Sequence, residues 1–434
     1  MATSGKSFAS QSVRKALRRH ALQSTPRWHR FLRRVAVAWW LLATLLAAPS
    51  LSEAKAPAST AGLSAADGQS EARLLDIYLL MAQGNSRDAL TKAEKLVRAQ
   101  PNFQLAQLVY GDLLAARTRT LQSLGDVPDA SALGGAPALL DLKEESLRRV
   151  AALNDRPPPG TVPSQFLKIA PQTRHAIAID ASRSRLYLFE NTAAGLRLKN
   201  DYYVSVGKSG TLKTQEGDQR TPLGVYFITS NLDTKALNDF YGAGALPLNY
   251  PNILDQRRGK SGSGIWLHGT PPHQYSRAPR STDGCLVLSN PDLLAIIQSI
   301  AVRNTPVVVA AQLVWKPASQ LEDPARSFQS ALNAWSSSKV SGDMKKMLAF
   351  YTPDFSSAGK SLDQYTPLLK SELKSLKGRD LELKNLSYLQ WNDSAETMVV
   401  SFGEVAKGQR SGIHKRQYWI RSNKEWKIFF EGVH

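Results

Sequence analysis

The chain has 434 residues, of which 42% are hydrophobic and 21% are charged. This length predicts two to four domains, and this composition excludes a chain that is disordered throughout. The formal net charge is +19, although residues 1–56 alone hold ten Lys and Arg against a single acidic residue, Glu53. The remaining basic excess suits anionic wall polymers or a membrane surface as neighbours. The sequence shows no basic stripe interleaved with aromatic residues and no nucleic-acid motif, so we expect no nucleic-acid partner.

The N-terminal segment, 1–56, has the layout of an export signal. Its apolar run, Val35–Ala48, follows four arginines, Arg27, Arg30, Arg33 and Arg34. This run is shorter than the roughly 20 residues that a helix needs to cross a bilayer, and small residues follow it. We therefore expect a signal peptide and a periplasmic protein. An uncleaved signal anchor is the alternative, and only that alternative would hold the protein at the inner membrane.

A helical region is predicted after a short linker. Residues 57–70 are rich in Ala, Ser and Gly, which indicates the linker. From residue 71 to residue 124 apolar residues recur about every 3.6 positions, with breaks at Gly84 and Pro101. This pattern predicts three helices, and a shorter fourth helix is predicted over 141–153.

The helical region, 71–153, resembles a tetratricopeptide (TPR) unit in the order of its Leu-x-x-Gly, Ala-x-x-x-Ala and Pro elements. Fewer than three such repeats rarely fold alone. We therefore expect a TPR-like region that packs on a neighbouring part of the chain, on a second copy in a homodimer or on a protein partner. A purely structural role is the alternative.

The central part of the chain is predicted to be a mostly β domain. A Pro-rich linker, 154–164, precedes it, and from Phe166 onward apolar residues alternate with a period of two. Over the domain, 165–314, only the segment NPDLLAIIQSIA has a helical pattern. The predicted strands are HAIAID, RLYLFE, LKNDYYVSVG, RTPLGVYFITS, SGIWLHGT and TPVVVAAQ.

The C-terminal domain, 326–434, is predicted to be α+β and follows a second linker, 315–325. A helical segment, 326–350, comes first and four strands follow, LELKNLSYLQWN, AETMVVSFGEVA, IHKRQYWIRS and EWKIFFEGVH. This order indicates a helix packed on a meander. The pattern resembles the NTF2-like superfamily, whose members bind ligands in a concavity or serve as interaction modules.

The only cysteine, Cys285, lies in a Gly-rich turn seventeen residues after His268. Acyl transfer by a thiol needs a base and donors for the oxyanion. His268 ends a predicted strand and is the candidate base, and the amides of Gly284 and Cys285 are the candidate donors. One alternative is a buried structural cysteine. Another is a zinc site from His268, His273 and Cys285, which lacks the paired ligand spacing typical of zinc sites.

Two segments resemble the L,D-transpeptidase (YkuD-type) family. The family signature places a histidine before a loop that ends in Ser/Thr-His-Gly-Cys and a hydrophobic residue, and the matching positions here are His268, Thr282, Gly284, Cys285 and Leu286. An upstream family segment, Gly-x-x-x-Thr-Pro-x-Gly, is matched by Gly217, Thr221, Pro222 and Gly224. Two positions depart from the pattern: Asp283 replaces the second histidine, and Val287 replaces the usual Asn or Arg.

The resemblance implies a peptidoglycan tetrapeptide as the substrate. Cys285 would attack the L-centre carbonyl of meso-diaminopimelate and release D-Ala, with His268 as base and the Gly269 carbonyl orienting its ring. An amine acceptor gives a cross-link, and water gives L,D-carboxypeptidase activity. No metal or organic cofactor is required. The candidate substrate-binding residues are Thr282, Ser281, Asp283, Arg280, Arg277 and Trp266, with Arg277 or Arg280 as the cation for a terminal carboxylate.

The order of parts predicts a multidomain protein: a helical TPR-like region, a mostly β YkuD-type catalytic domain and an α+β NTF2-like domain. This order resembles a subgroup of the family that affects cell shape and includes L,D-carboxypeptidases. The alternatives to an L,D-transpeptidase are therefore an L,D-carboxypeptidase and a non-catalytic wall-binding scaffold.

Overall fold

The computed structural model describes residues 69–126, 136–376 and 379–433. The predicted export signal, 1–56, and nearly all of the linker 57–70 lie outside these residues. Within the described part of the chain, no helix is both long and apolar enough to cross a membrane.

Four helices form the N-terminal region, and they share one apolar core. They are α1 Gln69–Ala82, α2 Ser86–Ala99, α3 Gln104–Ala115 and α4 Ala136–Asn154. The first predicted break is confirmed, because Gly84 takes a left-handed φ of +76° and the Asn85 side chain caps α2. The fourth helix begins earlier than the predicted 141. The helices are confirmed, whereas their TPR-like character stays a prediction.

The central part of the chain is built from a five-stranded sheet, a three-stranded sheet and two two-stranded sheets, and it lends one strand, β2 Phe166–Lys168, to the C-terminal domain. Its strands are β1 Thr161–Pro163, β2 Phe166–Lys168, β3 His175–Asp180, β4 Arg185–Thr192, β5 Gly195–Tyr203, β6 Val206–Gly207, β7 Gly224–Phe227, β8 Ala245–Pro247, β9 Trp266–His268, β10 Arg280–Thr282, β11 Leu286–Val287, β12 Pro306–Ala310 and β13 Trp315–Pro317. The larger sheet has the order β5-β4-β3-β12-β7, the second has the order β11-β9-β8, and β10 pairs with β6.

A single core lies between the two larger sheets. Two helices accompany it, α5 Ile253–Arg257 and α6 Asn290–Ser299. Residues from both sheets and from α6 meet in this core, which includes Ile177, Leu267 and Leu293. The second sheet is thereby packed against a rigid layer, and it is this sheet that carries the candidate site.

The two segments predicted as linkers, 154–164 and 315–325, are partly ordered as strands. β1 pairs antiparallel with β13, with Val162 opposite Lys316. Val162 and Leu321 are both buried. Each segment therefore supplies a buried apolar side chain to the fold. The sequence did not indicate this, because the first segment is rich in proline and the second is mostly polar.

The C-terminal domain places helices on a seven-stranded sheet. Its elements are α7 Glu322–Ser341, α8 Met344–Leu348, β14 Tyr351–Ser357, β15 Lys360–Ser361, α9 Leu362–Leu376, β16 Leu381–Asn392, β17 Glu396–Ala406, β18 Ile413–Ser422 and β19 Glu425–Val433. The four predicted strands are confirmed as β16 to β19. The sequence analysis missed α9, because Pro367 lies inside it and reads as a helix breaker.

The sheet of the C-terminal domain is completed by β2, a strand that comes before the five-stranded sheet in the sequence. Its order is β15-β14-β19-β18-β17-β16-β2. In β2, Phe166 pairs with Leu389 and Lys168 pairs with Tyr388. A second apolar core, which includes Phe166 and Leu389, joins the outer face of the five-stranded sheet to this sheet.

Candidate active site

His268 ends β9, and Cys285 immediately precedes β11, the neighbouring parallel strand of the three-stranded sheet. Leu286 pairs with Leu267, and Val287 pairs with His268. Cys285 immediately precedes β11 and is therefore level with Trp266, two residues before His268 on the same face, since side chains alternate along a strand. This register separates the Cα atoms of Cys285 and His268 by roughly 8 Å. The turn that contains Cys285 therefore lies next to the strand that ends in His268.

The His268 imidazole is held in one tautomer. Its side chain is only 1% exposed, and Nδ1 lies 2.8 Å from the carbonyl oxygen of Gly269. A carbonyl oxygen can only accept, so Nδ1 carries the proton and Nε2 is left with its lone pair. The ring is therefore oriented as a base by a backbone group, which is the role that the resemblance implies for Gly269.

The Cys285 thiol is half-buried and protonated at rest. Its S–H donates to the carbonyl of Gly264 over 3.2 Å. Burial raises the pKa of the thiol, and the cation of Arg277 and a hydrogen bond from the Trp266 backbone oppose that rise. Burial also lowers the pKa of His268 to about 4, and Arg277 adds to this effect. At neutral pH the pair therefore rests as a neutral thiol beside a neutral imidazole.

Two aromatic rings pack on the imidazole, and both were missed by the sequence analysis. Phe240 and Tyr241 belong to a short 3₁₀ turn, and their ring centroids lie 5.7 Å and 5.1 Å from that of His268. Trp266, predicted to bind substrate, lies 4.8 Å from Tyr241. The turn is far from the motif in sequence, so nothing local connected it with His268.

Thr282 and Ser281 shape the backbone of the nucleophile turn. The Thr282 hydroxyl donates to the Cys285 carbonyl over 2.7 Å and accepts from the Gly284 amide over 3.1 Å. The Ser281 hydroxyl donates to the carbonyl of Ala278 over 3.1 Å. The Gly284 amide is therefore already engaged, which differs from its predicted role as an oxyanion donor, and the Cys285 amide becomes the candidate donor.

The upstream Thr-Pro segment is hydrogen-bonded to the turn that contains Cys285. Thr221 is fully buried, and its hydroxyl donates to the Gly284 carbonyl over 2.9 Å. Gly284 has a φ of +124°, and a Cβ atom there would lie 2.7 Å from the carbonyl oxygen of Arg220. Glycine is therefore required at this position by both conformation and space. The second matched segment is thus part of the same site.

The two candidate cations occupy different surroundings. The guanidinium of Arg277 lies 4.6 Å from the Phe240 ring centroid, and its charge acts on both Cys285 and His268. Its Nε is buried without a hydrogen-bond partner in the described part of the chain. Arg280 instead forms an ion pair with Glu144 of α4 at 3.2 Å. Arg277 is therefore the better placed of the two for a carboxylate at the thiol.

Asp283, which stands where the family has its second histidine, takes part in an ion pair at the surface. It is exposed and forms an ion pair with Lys208 at 2.9 Å. Its negative charge contributes to raising the pKa of Cys285. The residue therefore does not supply a second base, and its charge works against thiolate formation.

Asn290 is a positioning residue that the sequence analysis did not single out. Its Oδ1 accepts from the amides of Ala243 and Thr270 over 2.9 Å and 3.1 Å. A Cβ atom on Gly269 would lie 2.1 Å from this oxygen. Asn290 thus ties the first turn of α6 to the segment whose carbonyl orients His268. Its place in the helix-start sequence Ser289-Asn290-Pro291 gave no signal for that contact.

The alternative zinc site does not form in the structure. No group of three His, Cys, Asp or Glu residues in the described ranges is arranged to hold a metal ion. His273, the third proposed ligand, is exposed.

Comparisons with known proteins agree with this geometry. The L,D-transpeptidase catalytic domain (YkuD) matches residues 174–309, and the Cds6 C-terminal NTF2-like domain matches residues 327–432. The structure of Bd1075 from Bdellovibrio bacteriovorus is similar at 25% identity and a TM-score of 0.54, over 63% of this chain and 98% of that chain.

A second solved structure is the helical cell shape determining protein Pgp2 from Campylobacter jejuni. It is similar at 20% identity and a TM-score of 0.47, over 61% of this chain and 96% of that chain. No curated protein matches the chain. The chain therefore carries a YkuD-type L,D-transpeptidase catalytic domain over residues 174–309, followed by a Cds6-type NTF2-like domain over residues 327–432.

Proposed function

We propose that the protein is a cysteine-dependent peptidoglycan L,D-transpeptidase. It cleaves the meso-diaminopimelate–D-Ala bond of a tetrapeptide stem and passes the acyl group to an amine. The observation that carries this proposal is the pairing of Val287 with His268, which brings the strand that follows Cys285 alongside the strand that ends in His268, with the imidazole oriented by the Gly269 carbonyl.

The neutral resting pair indicates how the thiol would be activated. Because burial disfavours both the thiolate and the imidazolium, the proton moves from Sγ to Nε2 as the sulfur attacks the carbonyl carbon. The Cys285 amide is the candidate donor to the oxyanion. Collapse of the tetrahedral intermediate breaks the C–N bond, and the imidazolium of His268 protonates the leaving D-Ala amine. This leaves a thioester and a neutral imidazole.

Arg277 is the candidate receptor for the carboxylate of the leaving D-Ala. An arginine fork matches a carboxylate, and the buried Nε without a partner offers a donor. A carboxylate bound there would also reduce the influence of Arg277 on His268, whose pKa the cation lowers in the free enzyme. Substrate binding would therefore make the imidazole a stronger base.

Hydrolysis of the same thioester by water is the second candidate function. The feature that favours it is the Cds6-type NTF2-like domain that follows the catalytic domain, an order shared with the subgroup that includes L,D-carboxypeptidases. Both reactions use the same first step, so they differ only in which nucleophile reaches the thioester.

Incubation of the purified protein with tetrapeptide-rich muropeptides, followed by mass analysis, separates these functions. Dimers linked between two diaminopimelate residues indicate transpeptidation, and tripeptides alone indicate carboxypeptidation. Cys285→Ser, with an unchanged circular dichroism spectrum, is expected to give neither product. Absence of both products with the parent protein would favour a non-catalytic wall-binding scaffold and contradict the proposal.

We also propose that the protein works in the periplasm, where its substrate lies. The support is the sequence of the segment 1–56, with its arginines followed by a short apolar run. Fractionation of cells that produce the full chain tests this: a soluble periplasmic form shortened at its N-terminus is expected. A full-length protein in the membrane fraction would instead indicate the signal anchor.

A further inference from the structure

The active-site loop, residues 269–279, is held by the N-terminal helices as well as by its own domain. The Tyr275 amide donates to the Asn102 carbonyl over 3.0 Å, and the Asn102 side chain donates to the Pro272 carbonyl over 2.9 Å. The ring of Tyr275 stacks on Phe103 with centroids 4.2 Å apart and is buried in the core of the helical region. One side of the loop is thus part of the helical core.

A buried ionic network holds the next residue of the loop. The Ser276 hydroxyl donates to Glu145 of α4 over 2.7 Å. Glu145 pairs with Arg149, which in turn pairs with Glu71 of α1, both at 2.8 Å. Glu145 and Arg149 are each 2% exposed. The paired network fixes the Glu145 carboxylate, because its unpaired charge would be costly to bury.

The same network reaches the backbone of Arg277. The Tyr203 hydroxyl donates to the Arg277 carbonyl over 2.8 Å. The guanidinium of Arg149 lies 4.0 Å from the Tyr203 ring centroid. The Ser276 side chain is therefore bound directly by the helical region, and the Arg277 carbonyl is linked to it through Tyr203 of β5, on whose ring Arg149 packs.

We propose that the helical region is an intramolecular clamp that positions the Arg277 guanidinium beside the Cys285 thiol, with Glu145 as the positioning residue. The charged groups that act on Cys285 are Arg277, Lys213 and Asp283. Of these three, only Arg277 lies on the loop that the helices hold. The role of the clamp in holding Arg277 for the substrate carboxylate rests on the proposed function. Its effect on the ionisation of the Cys285 thiol does not require any substrate.

The rate of Cys285 alkylation by iodoacetamide as a function of pH tests the clamp without a substrate. Cys285 is the only cysteine, so intact mass reports this thiol alone. Arg277→Gln removes a cation that favours the thiolate, so alkylation at pH 7 should slow about threefold or more. Glu145→Gln and Ser276→Ala should slow it in the same direction. Ser276→Thr, which keeps the hydroxyl, should restore the parent rate.

Glu144→Gln is the matched control, because Glu144 adjoins Glu145 but forms an exposed ion pair with Arg280. It should keep the parent profile. Ser276→Ala leaves the pair between Glu145 and Arg149 intact, so it tests the clamp even if Glu145→Gln does not fold. Parent-like alkylation in both Glu145→Gln and Ser276→Ala, or an equal change in Glu144→Gln, would overturn the proposal.

Muropeptide turnover measured on the same samples keeps the two proposals apart. If the parent protein makes no product but Ser276→Ala slows alkylation, the clamp stands and the proposed function fails. If the parent is active and the alkylation profiles of the parent, Arg277→Gln and Ser276→Ala coincide, the clamp fails alone. A double variant of Ser276→Ala and Arg277→Gln should be no slower than Arg277→Gln, because Ser276 acts through Arg277.

Discussion

Two backbone contacts decide the chemistry available to the catalytic pair. The Gly269 carbonyl fixes the proton on Nδ1 of His268, and the Gly264 carbonyl accepts the proton of the Cys285 thiol. Neither contact depends on a charged neighbour, so the pair is held in its neutral form. In the proposed mechanism, the thiolate forms when Nε2 accepts the proton.

Replacement of His268 tests its role as base. His268→Ala should lower kcat/KM for muropeptide cleavage by about a hundredfold or more, because general-base assistance to the thiol is lost. His273→Ala is the matched control, since His273 is an exposed histidine of the same loop, and it should retain the parent rate. A loss under threefold with His268→Ala, together with a large loss with His273→Ala, would assign the base to His273.

The pH dependence of cleavage should report the depressed pKa of His268. The imidazole accepts a proton only when neutral, so kcat/KM should fall as the pH drops through about 4. In Arg277→Gln the imidazolium loses a repelling cation, and this acidic limb should move to higher pH. An acidic limb near 6.5 in the parent enzyme would show that His268 is not buried as the structure has it.

The sequence was sufficient to single out the candidate pair and insufficient for the residues that support it. His268 and Cys285 could be found because a lone thiol, a glycine and a strand-ending histidine occur at a recognisable spacing. Phe240 and Asn290 could not, because each reaches His268 or Gly269 through tertiary contacts alone. The choice between Arg277 and Arg280 as the cation for a carboxylate also could not be made from the sequence, because it depends on the ion pair between Arg280 and Glu144 of α4.

At the scale of elements, the nucleophile turn and the Thr-Pro loop form one packed unit. The Thr221 hydroxyl bridges the amide of Gly207 and the carbonyl of Gly284. The turn between β10 and β11 is therefore supported by two other segments of the domain. Its shape depends on the absence of a side chain at Gly284.

A pair of glycine substitutions separates backbone strain from steric contact. Gly217 has a φ of +73° with open space around it, whereas Gly284 combines its positive φ with the nearby Arg220 carbonyl. Gly217→Ala should lower the free energy of unfolding by about 1 kcal/mol, and Gly284→Ala by at least about 2 kcal/mol with loss of activity. Equal losses in denaturant unfolding would contradict the close packing of the turn.

Helices and strands were predicted correctly where the apolar residues followed a single period along the segment. The alternation in HAIAID and RLYLFE gave β3 and β4, and the turn between them is present with Ser184 at a φ of +53°. The prediction failed for α9, where Pro367 interrupts a pattern whose apolar residues, Leu369 and Leu373, are nonetheless buried. A proline is tolerated there because the helical face it leaves intact still packs on the sheet.

At the scale of the whole molecule, the catalytic and C-terminal domains share a core and a strand. Phe166 lies in that core with Tyr187 of the catalytic sheet and Leu389 of the C-terminal sheet. Domain boundaries drawn from composition could not reveal this, because β2 is only three residues long and pairs with residues more than two hundred positions later.

Replacement of Phe166 tests this shared core. Phe166→Ala should destabilise the protein by about 3 kcal/mol through lost burial and a residual cavity. Lys168→Ala, in the same strand but exposed, should cost less than about 1 kcal/mol. Calorimetry should show the catalytic and C-terminal domains unfolding together in the parent. Two separate transitions in the parent, with only one moved by Phe166→Ala, would contradict a shared core.

The shared strand also sets the order in which the parts of the protein can complete their folding. During synthesis, N-terminal domains generally fold first. Here the residues of β2 leave the ribosome long before their partner strand, β16, and the sheet edge of the C-terminal domain stays open until they meet. A segment made much later is therefore needed to secure β2, so a nascent chain that stops before β16 would hold a catalytic domain whose five-stranded sheet lacks the cover of its outer face.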